Sequence, residues 1–276
     1  MTTGALIFAF NNEQTDYVEM AAWSAQNIRR HLNIPVAVVT DIDSRDSRVS
    51  GFDRVIAADA ASGGTRWFED YQSTVTWHNA GRVDAYSLSP WQRTLVLDAD
   101  YVVASNKLLP VLYSNEDFLC YRNAISVDSD LAGLNVFGRH GFPMWWATVM
   151  CFEKSNHARF IFDSMTMVRQ NWQHYRDLYG IDRPTYRNDF ALSIALGIVS
   201  GHTMRVNSIP GSLITTMPEQ RVTQIDQDHY RIEYQNATGR PQYVEFAGMD
   251  FHAMGKHSLG EIVETCSRKR LLDSSH

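Results

Sequence analysis

Two aspartates one residue apart end a strongly apolar segment, RTLVLDADYVV at residues 93–103. Alternate residues of a β-strand point to the same side, so Asp98 and Asp100 can aim both carboxylates into one site while Ala99 faces away. Burying an ionised carboxylate without compensation is costly, which indicates that the pair faces something cationic. Hard oxygen ligands suit Mg²⁺ or Mn²⁺, which are often completed by substrate phosphates. The pair predicts a divalent metal shared with a diphosphate; a strand-end aspartate that caps a helix or turn is the alternative.

The elements needed to position this pair follow a β-α-β pattern. Residues 5–10 (ALIFAF) form a short apolar run, residues 17–32 carry apolar side chains at helical spacing, and residues 34–41 (IPVAVVTD) give a second buried strand. Alternating strands and helices imply a parallel sheet, whose ligands bind beyond the carboxyl ends of the strands. The polar residues at such ends are Asn11, Asn12, Asp41, Asp98 and Asp100.

The rest of the chain continues the α/β pattern and changes near its end. The predicted segments are a loop or short-helix excursion over the sheet at 59–84, a strand at 146–155, helices at 157–175 and 188–199, and a late antiparallel hairpin at 220–248. The sequence thus predicts one α/β domain over residues 1–265, with a mostly parallel central sheet flanked by helices. A basic, flexible tail is expected over residues 266–276.

The composition narrows the class of protein. The 276 residues are 44% hydrophobic and carry a net charge of −6, which gives no overall attraction to nucleic acid or to an anionic membrane but leaves a local basic groove open. The sequence has no apolar run as long as a membrane span, and its first residues do not resemble a signal peptide, so we expect a cytoplasmic protein without stable membrane association. The three cysteines lack CxxC spacing, which argues against a disulfide framework or a cysteine zinc site.

The segment LVLDADYVV resembles the DxD motif of glycosyltransferases with the GT-A fold, a Rossmann-like arrangement. In that family the pair holds the divalent metal that binds the diphosphate of a nucleotide-sugar donor, which implies a donor site at Asp98, Ala99 and Asp100. FAFNNEQTDYVEMA is similar to the first strand and loop of these enzymes, and GRVDAYSLSPWQRTLVLDAD to the stretch that carries a basic residue before the motif. The resemblance implies nucleoside contacts for Phe10, Asn11, Asn12 and Tyr17, a uracil or ribose contact for Asp41, and a phosphate or ribose contact for Arg82.

Near the other end, DFHAMGK is similar to the His-x-x-Gly segment of glycosyltransferase family 8. This likeness implies that His252 is the third metal ligand and that Lys256 binds the diphosphate. The usual Lys-Pro-Trp ending of that segment is absent, because HAMGKHSL places Lys256 directly after Gly255.

Two further segments of the resemblance concern the acceptor side. NDFALSIAL implies an acidic residue, Asp189, beside the acceptor or the anomeric carbon, with a plain helix cap as the alternative. FPMWWATVM implies that Trp145, Trp146 and Thr148 lie near the acceptor, with buried core aromatics as the alternative.

Taken together, the resemblance implies a metal-dependent glycosyltransferase. It would use Mn²⁺ or Mg²⁺ to move a sugar from a nucleoside diphosphate sugar, UDP-linked, to an acceptor hydroxyl, and the family 8 likeness favours retention of configuration. The chain is also similar to glycosyltransferase-like chains of bacteriophages, which implies a hydroxymethylated pyrimidine in DNA as one acceptor, with a saccharide, lipid or protein as the alternative. A DNA acceptor would need a basic, aromatic groove, for which the candidates are Arg139, His140, Trp145, Trp146, Arg183, Arg187 and the SRKR segment at 267–270.

Three other classes of protein remain as alternatives. A catalytically silent module could keep the fold and bind a sugar nucleotide or glycan. A nucleotidyltransferase would be expected to carry a Gly-rich, Arg-containing loop after its first strand, and AFNNEQTD contains neither residue. A phosphatase with an aspartyl nucleophile would carry its DxD on the first strand rather than near residue 98.

Overall fold

The computed structural model describes residues 2–61, 64–68, 72–128, 135–203, 205–236 and 238–273, with the backbone alone for residues 66, 68 and 269–273. The helices are α1 (Tyr17–Leu32), α2 (Ala85–Leu88), α3 (Leu109–Leu112), α4 (Asn156–Gln170), α5 (Trp172–Leu178), α6 (Asn188–Val199) and α7 (Lys256–Asp273). The strands are β1 (Thr3–Phe8), β2 (Val36–Thr40), β3 (Arg54–Ala57), β4 (Thr65–Phe68), β5 (Ser73–Thr76), β6 (Arg93–Asp98), β7 (Tyr101–Val102), β8 (Phe118–Tyr121), β9 (Ala124–Ser126), β10 (Val136–Phe137), β11 (Phe142–Pro143), β12 (Trp146–Glu153), β13 (Leu213–Thr215), β14 (Arg221–Asp226), β15 (His229–Gln235), β16 (Pro241–Ala247) and β17 (Phe251–His252).

A six-stranded sheet in the order β3-β2-β1-β6-β12-β8 forms the centre of the protein. β3, β2, β1 and β6 run parallel, and β12 runs antiparallel to both of its neighbours. Helices cover the sheet: α1 contacts β1 and β2, and α6 contacts β12 and α4. Strands covered in this way are mostly apolar and buried along nearly their whole length, as β1 and β2 are. The predicted α/β fold with a mostly parallel central sheet is confirmed.

Helix α1 begins and ends where its sequence predicts. The Asp16 carboxylate caps it by accepting a hydrogen bond from the Glu19 amide at 3.0 Å. Asn33 ends it with a backbone φ of 52°, in the left-handed region that asparagine tolerates. The Asp16 cap fixes Tyr17 in the first turn, after the loop that follows the carboxyl end of β1.

A four-stranded sheet, β7-β17-β13-β9, joins distant parts of the chain beside the end of β6. β7 follows β6 after a short turn and pairs antiparallel with β17, which places His252 opposite Tyr101. β17 also pairs with β13, where Thr215 lies beside His252. The Ala253 amide donates to the Asp100 carbonyl at 3.0 Å. This sheet therefore holds residue 252 against the aspartate pair.

Three segments differ from the sequence-based expectations. Residues 59–84 contain the β4–β5 hairpin as well as a 3₁₀ turn at Ala80–Asp84. The helix predicted over 157–175 is divided into α4 and α5 at Asn171, whose φ of −117° and ψ of 35° leave the helical region. The late hairpin gains a third strand and becomes the sheet β14-β15-β16. The domain boundary at residue 265 stays a prediction; α7 spans Lys256–Asp273.

Across the part of the chain that the structure describes, no helix combines the length and apolarity needed to cross a membrane.

Candidate functional site

A cleft of about 590 Å³ opens at the carboxyl ends of β1 and β6. Segments from the β4–β5 hairpin, the start of α1, the loop before α6 and the residues after β17 line it. The predicted site residues among its lining are Phe10, Asn12, Tyr17, Arg82, Asp98, Ala99, Asp100, Trp146, Thr148, Asp189, His252 and Lys256. The cleft thus lies at the edge of the sheet where ligands of open α/β folds bind.

Asp98, Asp100 and His252 lie together in this cleft, with one ligand atom of each within 4.8 Å of the others. His252 Nε2 is 3.4 Å from Asp100 Oδ1 and 4.0 Å from Asp98 Oδ2. The other imidazole nitrogen, Nδ1, is 3.4 Å from the Thr215 hydroxyl, so Nε2 is the nitrogen turned towards the carboxylates. Two carboxylates and one imidazole can hold a divalent cation. The chemistry of these three side chains therefore fits the metal that the sequence predicts.

The two aspartates converge for a different reason from the one that strand alternation predicts. β6 ends at Asp98, which pairs with Phe8 of β1, and Asp100 lies in the turn that leads to β7. The hydrogen bond from the Ala253 amide fixes the backbone of Asp100 in that turn. Ala99 is also among the residues that line the cleft. The turn after β6 and the pairing of β7 with β17 therefore bring the two carboxylates together, rather than the alternation of side chains along one strand.

Lys256, at the first position of α7, forms a buried ion pair with Asp100. Its ammonium also donates to the Ala253 carbonyl at 3.0 Å. Burial alone would raise the pKa of the Asp100 carboxyl, but the Lys256 ammonium and the contact with His252 outweigh burial and hold that pKa well below its ordinary value. Asp100 is therefore a fixed negative charge in the cleft.

Arg82 forms the second buried ion pair, with Asp98. Its Nη1 donates to the Ala147 carbonyl at 2.9 Å, so the guanidinium bridges β6 and β12. Burial lowers the pKa of Arg82, and the carboxylates of Asp189 and Asp100 oppose that shift. The side chain, which is 3% exposed overall, was predicted as a phosphate or ribose contact and does line the cleft.

The Ala147 peptide links Arg82 to Asp189. The pairing of β12 with β8 shifts register between Trp146 and Met150, so Ala147 lies in an irregular stretch where its backbone groups can bond elsewhere. Its amide donates to Asp189 Oδ1 at 3.0 Å, while its carbonyl accepts from Arg82.

The other oxygen of Asp189, Oδ2, accepts from Arg187 at 2.8 Å. Both carboxylate oxygens of Asp189 are therefore engaged by nitrogen donors. Helix α6 starts without a capping hydrogen bond from Arg187, the residue before it, and Asn188 donates to the Asn79 carbonyl at 2.8 Å. The start of α6 is thus tied to the cleft by interactions with other segments rather than by a plain cap.

Three predicted site residues lie outside the lining of the cleft. Asn11 accepts a hydrogen bond from the Val18 amide at 3.0 Å and so supports the start of α1. Asp41 is exposed after the end of β2. Trp145 is fully buried, with the Arg122 guanidinium 5.6 Å from the centre of its ring. Of the two adjacent tryptophans, only Trp146 lines the cleft.

The β4–β5 hairpin supplies cleft residues that the sequence analysis did not identify. Thr65, Trp67 and Thr76 come from its strands, and Trp67 is 58% exposed. The Thr65 carbonyl accepts a hydrogen bond from the Thr185 hydroxyl at 3.4 Å, which connects the hairpin to the loop before α6. The available signal was the presence of two tryptophans in a Gly-, Ser- and Thr-rich stretch.

The basic groove proposed for DNA is only partly assembled. Trp146, Arg183 and Arg187 line the cleft, but Arg187 is paired with Asp189. Arg139 lies in an exposed pair with Asp182 at 3.4 Å. The side chains of residues 269 and 270 in the SRKR segment lie outside the described residues. Few cations in the described cleft are therefore left without an acidic partner.

Some solved structures are similar to this chain at low sequence identity and low TM-score. No protein-family model and no curated protein matches the sequence. The chain is similar to the galactosyltransferase LgtC in complex with donor and acceptor sugar analogues, at 15% identity and a TM-score of 0.43, over 70% of each chain. It is also similar to the glycosyltransferase GlyE of Streptococcus pneumoniae TIGR4 (14%, 0.42, over 76% of this chain and 46% of that one) and to mouse xyloside xylosyltransferase 1 in its apo form (13%, 0.44, over 73% and 83%). At these identities and TM-scores, the likeness alone assigns neither a family nor an activity.

Proposed function

We propose that the protein is a metal-dependent glycosyltransferase that moves a sugar from a nucleoside diphosphate sugar, UDP-linked, to an acceptor hydroxyl. The observation that carries this proposal is the grouping of Asp98, Asp100 and His252 with Arg82 and Lys256 in one cleft. The first three offer ligands for a divalent cation. The other two offer fixed positive charge for a diphosphate.

Asp98, Asp100 and His252 would hold the metal, Mn²⁺ or Mg²⁺. When bound, such a cation supplies positive charge that stabilises a departing diphosphate as the bond between sugar and phosphate breaks. The Thr215 hydroxyl beside His252 Nδ1 keeps the imidazole turned towards the carboxylates.

The chain's own cations contribute to the same charge stabilisation. Lys256 and Arg82 are both buried, so their charges act in a region of low dielectric constant where electrostatic interactions are strong. Arg82 is held at both ends of its guanidinium, by Asp98 and by the Ala147 carbonyl. It is therefore preorganised for a negatively charged donor.

The nucleoside is assigned to the part of the cleft near the end of β1. Phe10, Asn12 and Tyr17 line it, and the half-buried ring of Tyr17 offers a surface on which a base can stack. Asn11 and Asp41, also predicted at the nucleoside, do not line the cleft. The proposal therefore rests on Phe10, Asn12 and Tyr17.

Asp189 is assigned to charge stabilisation and positioning. Both of its oxygens already accept hydrogen bonds, from the Ala147 amide and from Arg187, which does not suit a general base. A negative charge held in this way can instead steady an oxocarbenium-like carbon or orient the acceptor, which is the role that we assign to Asp189 in a retaining transfer.

The acceptor site is assigned to the side of the cleft formed by Trp146, Thr148 and the β4–β5 hairpin. The exposed indole of Trp67 can stack on a sugar ring or on a pyrimidine. A hydroxymethylated pyrimidine in phage DNA, and a hydroxyl of a saccharide, lipid or protein, are therefore both acceptor classes to be tested.

The experiment that tests the proposal is a screen of nucleotide sugars with Mn²⁺, followed by mass analysis of candidate acceptors that include glycosides and hydroxymethylated DNA. We expect sugar transfer that requires both the metal and a UDP-linked donor. Metal-dependent binding of UDP-sugars without any turnover would indicate the silent binding module instead. Turnover of nucleoside triphosphates would indicate a nucleotidyltransferase.

A further inference from the structure

The carboxylate of Asp100 has two different partners in the cleft. Its Oδ1 lies 3.4 Å from His252 Nε2, while its Oδ2 accepts from the Lys256 ammonium. Lys256 is 8% exposed and Asp100 is 6% exposed, so this is a buried ion pair at the predicted metal position. The carboxylate that a metal would use is therefore also the carboxylate that Lys256 holds, through its other oxygen.

The charges of the two aspartates at the predicted metal position are already balanced without a metal. Asp98 is paired with Arg82 and Asp100 with Lys256, which gives two negative and two positive charges in close contact. A divalent cation beside these residues leaves a local charge of about +2, which is unfavourable in a buried site unless an anion accompanies it. A diphosphate is an anion of suitable charge.

Lys256 and Arg82 differ in how firmly they are held. Arg82 binds Asp98 and also the Ala147 carbonyl in the irregular part of β12. Besides Asp100, Lys256 contacts the Ala253 carbonyl three residues before it, at the end of a flexible four-carbon side chain. Lys256 is therefore the cation that can change partner with little movement of the backbone.

We propose that Lys256 alternates between two partners, Asp100 before the donor binds and the diphosphate of the donor afterwards. This inference rests on the proposed function. Lys256 competes with a divalent cation for Asp100 when no diphosphate is present, and releases the carboxylate when a diphosphate takes its charge. Metal and nucleotide therefore bind cooperatively, because Lys256 opposes the metal only in the absence of the nucleotide.

Cooperativity of this kind is reciprocal. If UDP raises the affinity for Mn²⁺ by some factor, Mn²⁺ must raise the affinity for UDP by the same factor. Coupling between two sites in proteins is commonly about 5-fold to 150-fold, and we expect a value in this range for the wild-type protein. Uridine carries no phosphate and should leave the Mn²⁺ affinity unchanged.

The variant that tests the exchange is Lys256→Gln, which removes the charge and keeps a donor for the Ala253 carbonyl. Mn²⁺ binding is measured by calorimetry without nucleotide and with UDP, after correction for the Mn²⁺–UDP complex in solution. Lys256→Gln should bind Mn²⁺ alone about tenfold or more tightly than wild type, because a competing charge in contact with Asp100 is gone. Its affinity for UDP alone should fall, and the coupling factor with it.

Lys154→Gln is the matched control, because Lys154 donates to the Ser89 carbonyl at 2.7 Å and does not line the cleft. It should behave as wild type. If Lys256→Gln does not fold, Lys256→Met tests the same point, and the wild-type comparison with and without UDP needs no variant.

Each outcome bears on a separate claim. The exchange is overturned if the Lys256 variant binds Mn²⁺ in the absence of nucleotide no more tightly than the wild type does. It is also overturned if the wild type binds Mn²⁺ with equal affinity with and without UDP. In both cases the proposed function stands, since the metal and the nucleotide still bind. If the wild type binds neither Mn²⁺ nor UDP, alone or together, the proposed function fails as well.

Discussion

Replacement of Asp189 by alanine should destabilise the protein much more than replacement by asparagine. The Asp189 carboxylate accepts from the Ala147 amide at 3.0 Å and from Arg187 at 2.8 Å. Ala147 is fully buried, so Asp189→Ala leaves its amide without this acceptor, at a cost of about 1–3 kcal/mol. Loss of the partly buried ion pair with Arg187 adds about 1 kcal/mol.

Asp189→Asn keeps an oxygen for the Ala147 amide, but it places an NH₂ group opposite Arg187 and so loses both the charge and the hydrogen bond on that side. We therefore expect a loss in unfolding free energy of about 2–4 kcal/mol for alanine and about 1 kcal/mol for asparagine. The difference between these two losses measures the contribution of the hydrogen bond from the Ala147 amide to stability.

The assay is equilibrium unfolding in urea, followed by far-UV circular dichroism. We expect a lower midpoint in both variants with an unchanged dependence on denaturant, which would locate the effect in the folded state. Equal destabilisation of the two variants would refute the role of the Ala147 amide. An alanine variant within about 0.5 kcal/mol of wild type would refute the whole anchoring interaction.

Three further substitutions test other parts of the structure by the same unfolding assay, except where noted. Gly4→Ala should lower the unfolding free energy by about 1–3 kcal/mol, because a Cβ there would overlap the Trp91 ring; wild-type stability would contradict this packing. Ser155→Ala should lower the unfolding free energy by about 1 kcal/mol, because the hydroxyl that caps α4 is lost; an unchanged unfolding free energy would argue against the cap. Arg82→Met should cost about 3 kcal/mol by leaving Asp98 unpaired, and Mn²⁺ should restore part of the loss in thermal unfolding; a loss insensitive to Mn²⁺ would separate Asp98 from the metal.

The sequence predicts the elements that have strong periodicity. The apolar run of β6 predicts a buried strand, and the helical spacing of α1 predicts a helix with one buried face. Together with the alternation of strands and helices, these two patterns predict the α/β fold. The aspartates at the end of β6 could be identified as a site because polar residues there meet the edge of a parallel sheet.

The contacts that complete the site leave no comparable pattern in the sequence. His252 meets Asp100 because β17 pairs with β7, a contact between distant parts of the chain, and only the family resemblance indicated it beforehand. Which of Trp145 and Trp146 faces the cleft depends on the irregular register of β12, because a one-residue change of register turns a side chain to the opposite face. The β4–β5 hairpin was not predicted, because the composition of residues 59–84 is typical of loops.

The central claim is that Asp98, Asp100 and His252 hold a metal that the reaction with a nucleotide sugar requires. Its most direct test is Mn²⁺-dependent release of UDP from UDP-sugars by the wild type and by Asp100→Asn, with Asp182→Asn as a control because Asp182 lies in an exposed ion pair with Arg139. We predict that the wild type and Asp182→Asn release UDP only when Mn²⁺ is present, and that Asp100→Asn, with a native circular dichroism spectrum, releases none. Full activity of Asp100→Asn, or release by the wild type in the presence of a chelator, would contradict the claim.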